Sequence, residues 1–536
     1  MGSLGRKAVA LAGAALSIAI AAPAVAAGPP PGSPEFLARD LQNVTDAYGR
    51  IIGQGGQLQN PNYLPALVAE GTDVNLSQLA EQAATPTRPV LTPAMVVPGW
   101  NVGNPLRRGW AGKRGIRQRV AYTNRYGALI RGDVFAPLPG AKDPYTGAAL
   151  EPPYPGVVLT TGSVQGSERM YWWLAQDLAE RGYVVLTYDV QGQGTSETLP
   201  HPSGDLPFCN PFAPPEEEEM NGCPGVPFQQ IANFTKGTVD AMDFFVSTPD
   251  APYVSKARGS ADVNAFNPYW RLWDRSPDPH PATPGRTTRL AIVGHSLGAA
   301  AVSRVQGTDD RVAAVVALDK LSGPGASGPL DGKGVKPTVP ALAVQSEYGF
   351  TVQPYFLNGS GLLPGLNDPS KAPDPRRERA TGFDAWQKAG VDAMLVVPRA
   401  STHLEYTDIP LALPASRYGQ ALTSVYVQRW LDRYVKHEGV ALPTVATKKA
   451  KKRAARKARK AGRSTKAKRR QAAPAGEDPL LATSFTYLEP TAVGRWSPVT
   501  LQRDPLLSFY HCSAYAFRDR TGSQVLQSGD VTGVGC

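Results

Sequence analysis

Cysteine and histidine are scarce in this chain, with four of the first and six of the second among 536 residues. No two cysteines have C-x-x-C spacing and no histidine sits at ligand spacing from a cysteine pair, which argues against a structural metal site. Beyond the first 28 residues no apolar run approaches the roughly 20 residues a membrane-spanning helix needs. No internal repeat is visible. The acidic run Glu216 to Glu219 lacks the spaced Asp/Asn/Gly pattern of a calcium loop and reads as a solvated loop.

Basic charge is plentiful only in one place. Lys448 to Arg470 holds 14 Lys and Arg and no acid, so it accounts for all of the net charge of +11 and leaves −3 on the rest of the chain. The body of the protein is therefore not basic. The run has no interleaved aromatics to stack on bases, so specific nucleic-acid recognition is not expected. It reads as a self-repelling tether, or as a patch adhering to an anionic cell-surface polymer.

The N-terminus has Arg6 and Lys7, then an apolar stretch of signal-peptide length, then Ala24-Val25-Ala26 as a small-residue cleavage site. An export signal over 1–26 and a secreted, extracellular location follow as expectations, with cell-surface association through the basic run. In an exported chain, Cys209, Cys223, Cys512 and Cys536 suggest two disulfides, and the sequence-local pairing is 209 with 223 and 512 with 536.

Past a Pro- and Gly-punctuated extension (27–114), the pattern changes. RQRVAYTN and ALIRGDVFAPL alternate apolar and polar residues around a turn at Arg125 to Gly127, as a hairpin does. PGVVLTTG (155–162) and YVVLTYD (183–189) are buried strands separated by a segment of helical periodicity. That succession is the unit of a parallel sheet with crossover helices. RLAIV, RVAAVVALDK, VPALAVQSEYG and VDAMLVVPRA bring the strand count to eight, and the helix Ser416 to Lys436 closes the pattern. The expected fold is α/β: a mostly parallel eight-stranded sheet with helices on both faces over 115–440. A basic linker (441–476) and a small C-terminal β-rich, cysteine-containing extension (477–536) follow.

Within Arg289 to Ala300, RLAIVGHSLGAA, a strand, a sharp Gly-x-Ser-x-Gly turn and a small-residue helix start aim Ser296 at solvent. A serine hydroxyl is a poor nucleophile without a base to take its proton and a carboxylate to orient that base. The chain order serine, acid, histidine allows a search by elimination. His201 and His280 lie upstream, His295 is inside the turn, His437 sits at a helix end and His511 lies in the C-terminal extension. His403, just past the last core strand, is where the base belongs. For the acid, Glu347 past ALAVQS is the first choice and Asp319 at the end of VVALD the alternative. A developing oxyanion needs two N–H donors, expected from Leu297 after the nucleophile and from Ser163 in TTGSVQG. Tyr171, Trp172 and Trp173 read as core rather than a substrate wall.

TTGSVQG, the GHSLG turn, an acid after strand six or seven and STHLEY together resemble the α/β-hydrolase superfamily. The resemblance is nearest its dienelactone-hydrolase, cutinase and bacterial platelet-activating-factor-acetylhydrolase-like branch, over roughly residues 115–437. It implies a secreted carboxylic ester hydrolase without metal or other cofactor, acting on a small-molecule or polymer ester through an acyl-enzyme on Ser296. Many members carry an aspartate two residues beyond Glu347, where this chain has Gly349. A peptidase or a cell-envelope acyltransferase of the same fold, or a non-catalytic surface-binding protein using the basic run, are the alternatives.

Overall fold

The computed structural model describes residues 29–53, 55–84, 102–163, 167–197, 231–255, 263–279, 285–324, 335–355, 373–409, 417–438, 478–518 and 526–531. The 1–26 signal, the acidic run, Cys209, Cys223 and Cys536 with both cysteine pairings, and Lys448 to Arg470 lie outside the described residues.

Twelve strands are described: β1 (Gly115–Thr123), β2 (Leu129–Pro137), β3 (Gly156–Thr160), β4 (Val184–Tyr188), β5 (Leu290–His295), β6 (Val312–Leu318), β7 (Ala341–Val344), β8 (Ala393–Val396), β9 (Ser484–Ala492), β10 (Arg495–Gln502), β11 (Ser513–Arg518) and β12 (Leu526–Val531). Ten of them form one sheet in the order β1-β2-β4-β3-β5-β6-β7-β8-β11-β12. Strands β4, β3, β5, β6, β7 and β8 run parallel to their neighbours in that run, while β1, β2, β11 and β12 join antiparallel.

The eight strands expected from the sequence are β1 to β8, but the sheet is ten-stranded and mixed. The difference comes from the C-terminal segment. Without β11 the backbone of β8 would be an open edge, and Ala514, Tyr515 and Ala516 pair with Leu395, Met394 and Ala393 to close it. The apolar run around Phe517 thus continues the central sheet, while β9 and β10 form a separate two-stranded ribbon.

Side chains alternate across a strand, and the central strands bury both faces. Val157, Leu159, Val185, Ala291 and Val293 share one core with Leu174 and Leu178 of α3 (Trp172–Glu180) and with Leu422, Tyr426 and Trp430 of a long helix, Arg417–Tyr434. Val158, Val184, Leu186, Leu290 and Ile292 share the other with Phe234 and Phe245 of α4 (Ile231–Val246) and with Ala301 and Val302 of α5 (Leu297–Val305). Phe485 and Tyr487 of β9 pack into the first core.

Two helices precede the sheet, α1 (Pro34–Ile52) and α2 (Tyr63–Ala84). Ser33 caps α1, its Oγ accepting from Phe36 N–H, with Pro34 at the first turn where its missing N–H costs nothing. The helix lies against the segment after β7: Asn43 Nδ2 donates to Glu347 Oε2 at 2.6 Å and to Tyr348 Oη at 3.0 Å. Among the described residues no helix is long and apolar enough to cross a membrane.

Candidate active site

Ser296 stands between β5 and α5 with φ 55° and ψ −119°, a region L-residues enter at a steric cost. The flanking glycines explain how the turn tolerates it. A Cβ on Gly294 would lie 2.2 Å from the Gly298 carbonyl oxygen, and a Cβ on Gly298 would lie 2.5 Å from that of Thr161. The Gly-x-Ser-x-Gly spacing is thus a packing requirement of this turn. Ser296 N–H is anchored on Leu318 O at 2.9 Å, tying the turn to the end of β6.

His403 begins a short 3-10 turn (His403–Tyr406) after β8. Its backbone N–H donates to Gly349 O at 2.8 Å, and Phe350 packs edge-on against its ring at 4.9 Å between centroids. His403 Nε2 lies 2.8 Å from Ser296 Oγ and Nδ1 lies 2.6 Å from Asp319 Oδ2. An ionised carboxylate only accepts, so Nδ1 carries the proton and Nε2 is left to accept from the serine hydroxyl.

Asp319 follows β6 in the left-handed region at φ 40°, which aspartate enters more readily than most residues. It is buried. Burial by itself would raise its carboxyl, but the hydrogen bond and charge of His403, the charge of Lys320 and the Ser346 hydroxyl outweigh that and hold it well below the usual carboxylate range. Ser346 supplies two donors to the carboxylate, Oγ to Oδ2 at 2.7 Å and N–H to Oδ1 at 3.2 Å.

Glu347, the first choice from the sequence, does not reach His403, and the acid position must be corrected to Asp319. Successive residues leaving a strand point to opposite sides: Ser346 faces Asp319 and Glu347 faces away. Its Oε1 accepts from Ser508 Oγ at 2.6 Å and Phe509 N–H at 2.8 Å, and its Oε2 from Asn43 Nδ2 and the Ala400 N–H. This buried carboxylate joins α1, the turn before His403 and the C-terminal segment. Glu405 is turned onto Gly419, where a Cβ would collide with its carboxylate.

The remaining sequence candidates fall as follows. Leu297 is the first residue of α5, so its N–H is among the donors a helix start leaves without an intrahelical partner. Ser163 follows Gly162, where an added Cβ would lie 3.2 Å from Ser296 Cβ, so this turn sits against the serine. His437, at a helix end, is buried, with Nε2 2.6 Å from Asp278 Oδ1. His511 is buried between Tyr355 Oη and Asp374 O. Trp173 is core, and Trp172 is flanked by the guanidinium groups of Arg117 and Arg169. Among the described residues no group of three or more His, Cys, Asp or Glu side chains could hold a metal ion.

Ser346, Phe350 and Tyr171 are contacts that sequence reasoning missed. Ser346 adjoins the favoured acid in AVQSE, and nothing in the one-dimensional pattern tells which of the two faces the histidine. Tyr171 was visible only as one of three consecutive aromatics, yet its hydroxyl accepts from Gly162 N–H at 3.0 Å and meets His295 Nδ1 at 2.7 Å.

No protein-family model matches the chain, and no curated protein matches it. A solved structure to which it is similar is a ferulic acid esterase from Streptomyces cinnamoneus, at 16% identity over 62% of this chain and 93% of that one, with a TM-score of 0.34. At that level the likeness adds nothing to the geometry of Ser296, His403 and Asp319.

Proposed function

We propose that the chain is a serine carboxylic ester hydrolase of the α/β-hydrolase type, exported by its 1–26 segment and able to adhere to anionic polymer through Lys448 to Arg470. One observation carries the catalytic reading: Ser296 Oγ, His403 and Asp319 are in hydrogen-bonded series at 2.8 and 2.6 Å, with the serine raised at a positive-φ turn between strand and helix.

In this reading His403 Nε2 takes the hydroxyl proton as Ser296 Oγ attacks the ester carbonyl carbon. The carbonyl electron pair moves onto oxygen, and the N–H groups of Leu297 and Ser163 receive the oxyanion. Asp319 stabilises the His403 imidazolium without taking its proton. The tetrahedral species collapses, the ester C–O bond breaks, and His403 returns its proton to the departing alkoxide. Water then repeats the sequence on the acyl-enzyme: His403 removes its proton, the acid leaves, and the proton returns to Ser296 Oγ.

The test is a fluorophosphonate probe with short p-nitrophenyl esters. The protein should be labelled once, at Ser296, and Ser296→Ala should lose labelling together with hydrolysis, the latter by about 10⁴-fold or more. Ester turnover that survives in the alanine variant would refute the assignment. A parent protein that neither labels nor turns over would leave the surface-binding alternative standing.

A further inference from the structure

Resting on the serine-hydrolase reading, we infer that His295, the residue before the nucleophile, is a positioning residue that locks the oxyanion turn, the nucleophile turn and the base loop in one register. Its ring is fully buried and reaches two backbone elements besides its own. Nε2 lies 2.9 Å from the carbonyl oxygen of His403, and Nδ1 lies 2.7 Å from Tyr171 Oη, which accepts the Gly162 N–H at 3.0 Å.

The direction of each bond follows from what each atom can do. A carbonyl oxygen only accepts, so Nε2 carries the hydrogen. In a neutral imidazole Nδ1 is then an acceptor, and the single Tyr171 hydroxyl hydrogen goes to it. The Tyr171 oxygen keeps a lone pair for Gly162 N–H. The series runs Gly162 N–H to Tyr171, Tyr171 O–H to His295, His295 N–H to His403 C=O, with every donor spent and every acceptor filled.

Burial first, and the neighbouring His403 second, push the His295 imidazole down to about 3, so it is neutral wherever His403 can act as a base. That matters because the two rings are 4.8 Å apart between centroids. A permanently charged group at that distance would oppose the imidazolium that forms on His403 in the transition state. A neutral donor–acceptor pair fixes the His403 backbone at no such cost.

The Gly162 end acts on the oxyanion turn. Its N–H bond to Tyr171 fixes the Thr161–Gly162 peptide plane, one peptide before the N–H of Ser163, the second proposed oxyanion donor. A Cβ at Gly162 would lie 2.7 Å from His295 Nδ1, so the imidazole is in van der Waals contact with the turn it orients. One side chain thus joins the backbone of the nucleophile, the base and the oxyanion donor, and a displacement of about 1 Å in such an arrangement costs roughly 10²-fold in rate.

The experiment compares the full chain with His295→Phe, His295→Gln and Tyr171→Phe, measuring kcat and KM on a short p-nitrophenyl ester and the rate of phosphonate inactivation. His295 has no exposed atom to meet substrate, so the loss should fall on kcat and inactivation rate, by about 10²-fold for His295→Phe, with KM within about twofold. Glutamine offers N–H donors and a carbonyl acceptor from its amide and should recover at least about tenfold over phenylalanine. Tyr171→Phe, which leaves the imidazole in place, should cost about tenfold. A His295→Phe protein with parental kcat, or a glutamine variant as poor as the phenylalanine one, would overturn the inference. Should His295→Phe fail to fold, parental kcat in Tyr171→Phe overturns it alone. A parent that neither hydrolyses nor labels would instead refute the serine-hydrolase reading.

Discussion

Asp319 Oδ2 lies 2.6 Å from His403 Nδ1, and Ser346, the residue immediately before Glu347, holds that same carboxylate with its hydroxyl and its N–H. The two candidate acids therefore end adjacent strands of one sheet and do different work. Asp319 touches the His403 ring. Glu347 gathers four donors from the N-terminal helix, the turn before His403 and the C-terminal segment.

Asp319→Asn should therefore cripple ester turnover, by up to about 10⁴-fold in kcat, because an amide cannot stabilise the imidazolium and can force the wrong tautomer on His403. Glu347→Gln should leave kcat within about tenfold but lower the thermal midpoint, since an amide nitrogen replaces one of two buried acceptor oxygens and faces other donors. Circular dichroism melts alongside ester kinetics separate the two effects. Equal kinetic losses in both variants would remove the distinction drawn between them.

Much of this arrangement was legible in the chain. The Gly-x-Ser-x-Gly turn could be read because its glycines, its preceding strand and its following helix are contiguous, and His403 because elimination among six histidines left one in the loop after the last core strand. The acid was not legible, because Asp319 and Glu347 both follow apolar strands and the choice depends on which way a side chain leaves a sheet after a turn whose backbone is irregular. The C-terminal extension was legible as β-rich but not as part of the central sheet, since the pairing of β11 with β8 spans more than a hundred residues. The α1 contacts to Glu347 were invisible for the same reason: Asn43 and Glu347 are 304 residues apart.

Two glycine substitutions should have opposite signs. Gly298→Ala places a Cβ 2.5 Å from Thr161 O and 2.6 Å from Thr160 O, both backbone atoms where β3 ends, so the Ser296 turn must shift and both stability and ester turnover should fall. Gly237→Ala, inside α4, places its Cβ 3.9 Å from the nearest atom and should raise stability by about 0.5–1 kcal/mol through helix propensity. Thermal unfolding of the two variants is the measurement, and a destabilised Gly237→Ala would contradict the packing stated for that helix.

Nonreducing peptide mapping should find Cys512 joined to Cys536. Cys512 immediately precedes β11, whose first residue, Ser513, pairs with Val531 near the end of β12. The five residues from Val531 to Cys536 can span at most roughly 17 Å, enough to return to the start of the hairpin. A peptide joining Cys512 to Cys209 or Cys223 would refute this pairing.

The buried carboxyls of Glu168 and Asp189 should make stability depend on pH. Burial first, and the charge of Asp133 second, raise Glu168 to about 8, while Arg169 and the hydrogen bonds from Thr187 and Trp172 offset part of that shift. Asp189 is raised to about 7 by burial and then by Glu168 itself. A carboxyl raised on folding binds its proton more tightly in the native state than in the unfolded chain, where it is released near pH 4.5. Between about pH 4.5 and 8 the native state thus holds more protons than the unfolded state, and stability falls as pH rises through that window. Glutamine at position 168 is a permanent counterpart of the protonated acid: its oxygen can accept from Thr187 and Trp172, as Glu168 Oε2 does, and its amide nitrogen can donate toward Asp133. It also removes the charge that raises Asp189. Glu168→Gln should therefore melt close to the parent at pH 5 and clearly above it at pH 8, with a shallower decline of midpoint between the two. A variant that is less stable than the parent at pH 8 would show that Glu168 is held as a stabilising anion, the opposite of what its burial dictates.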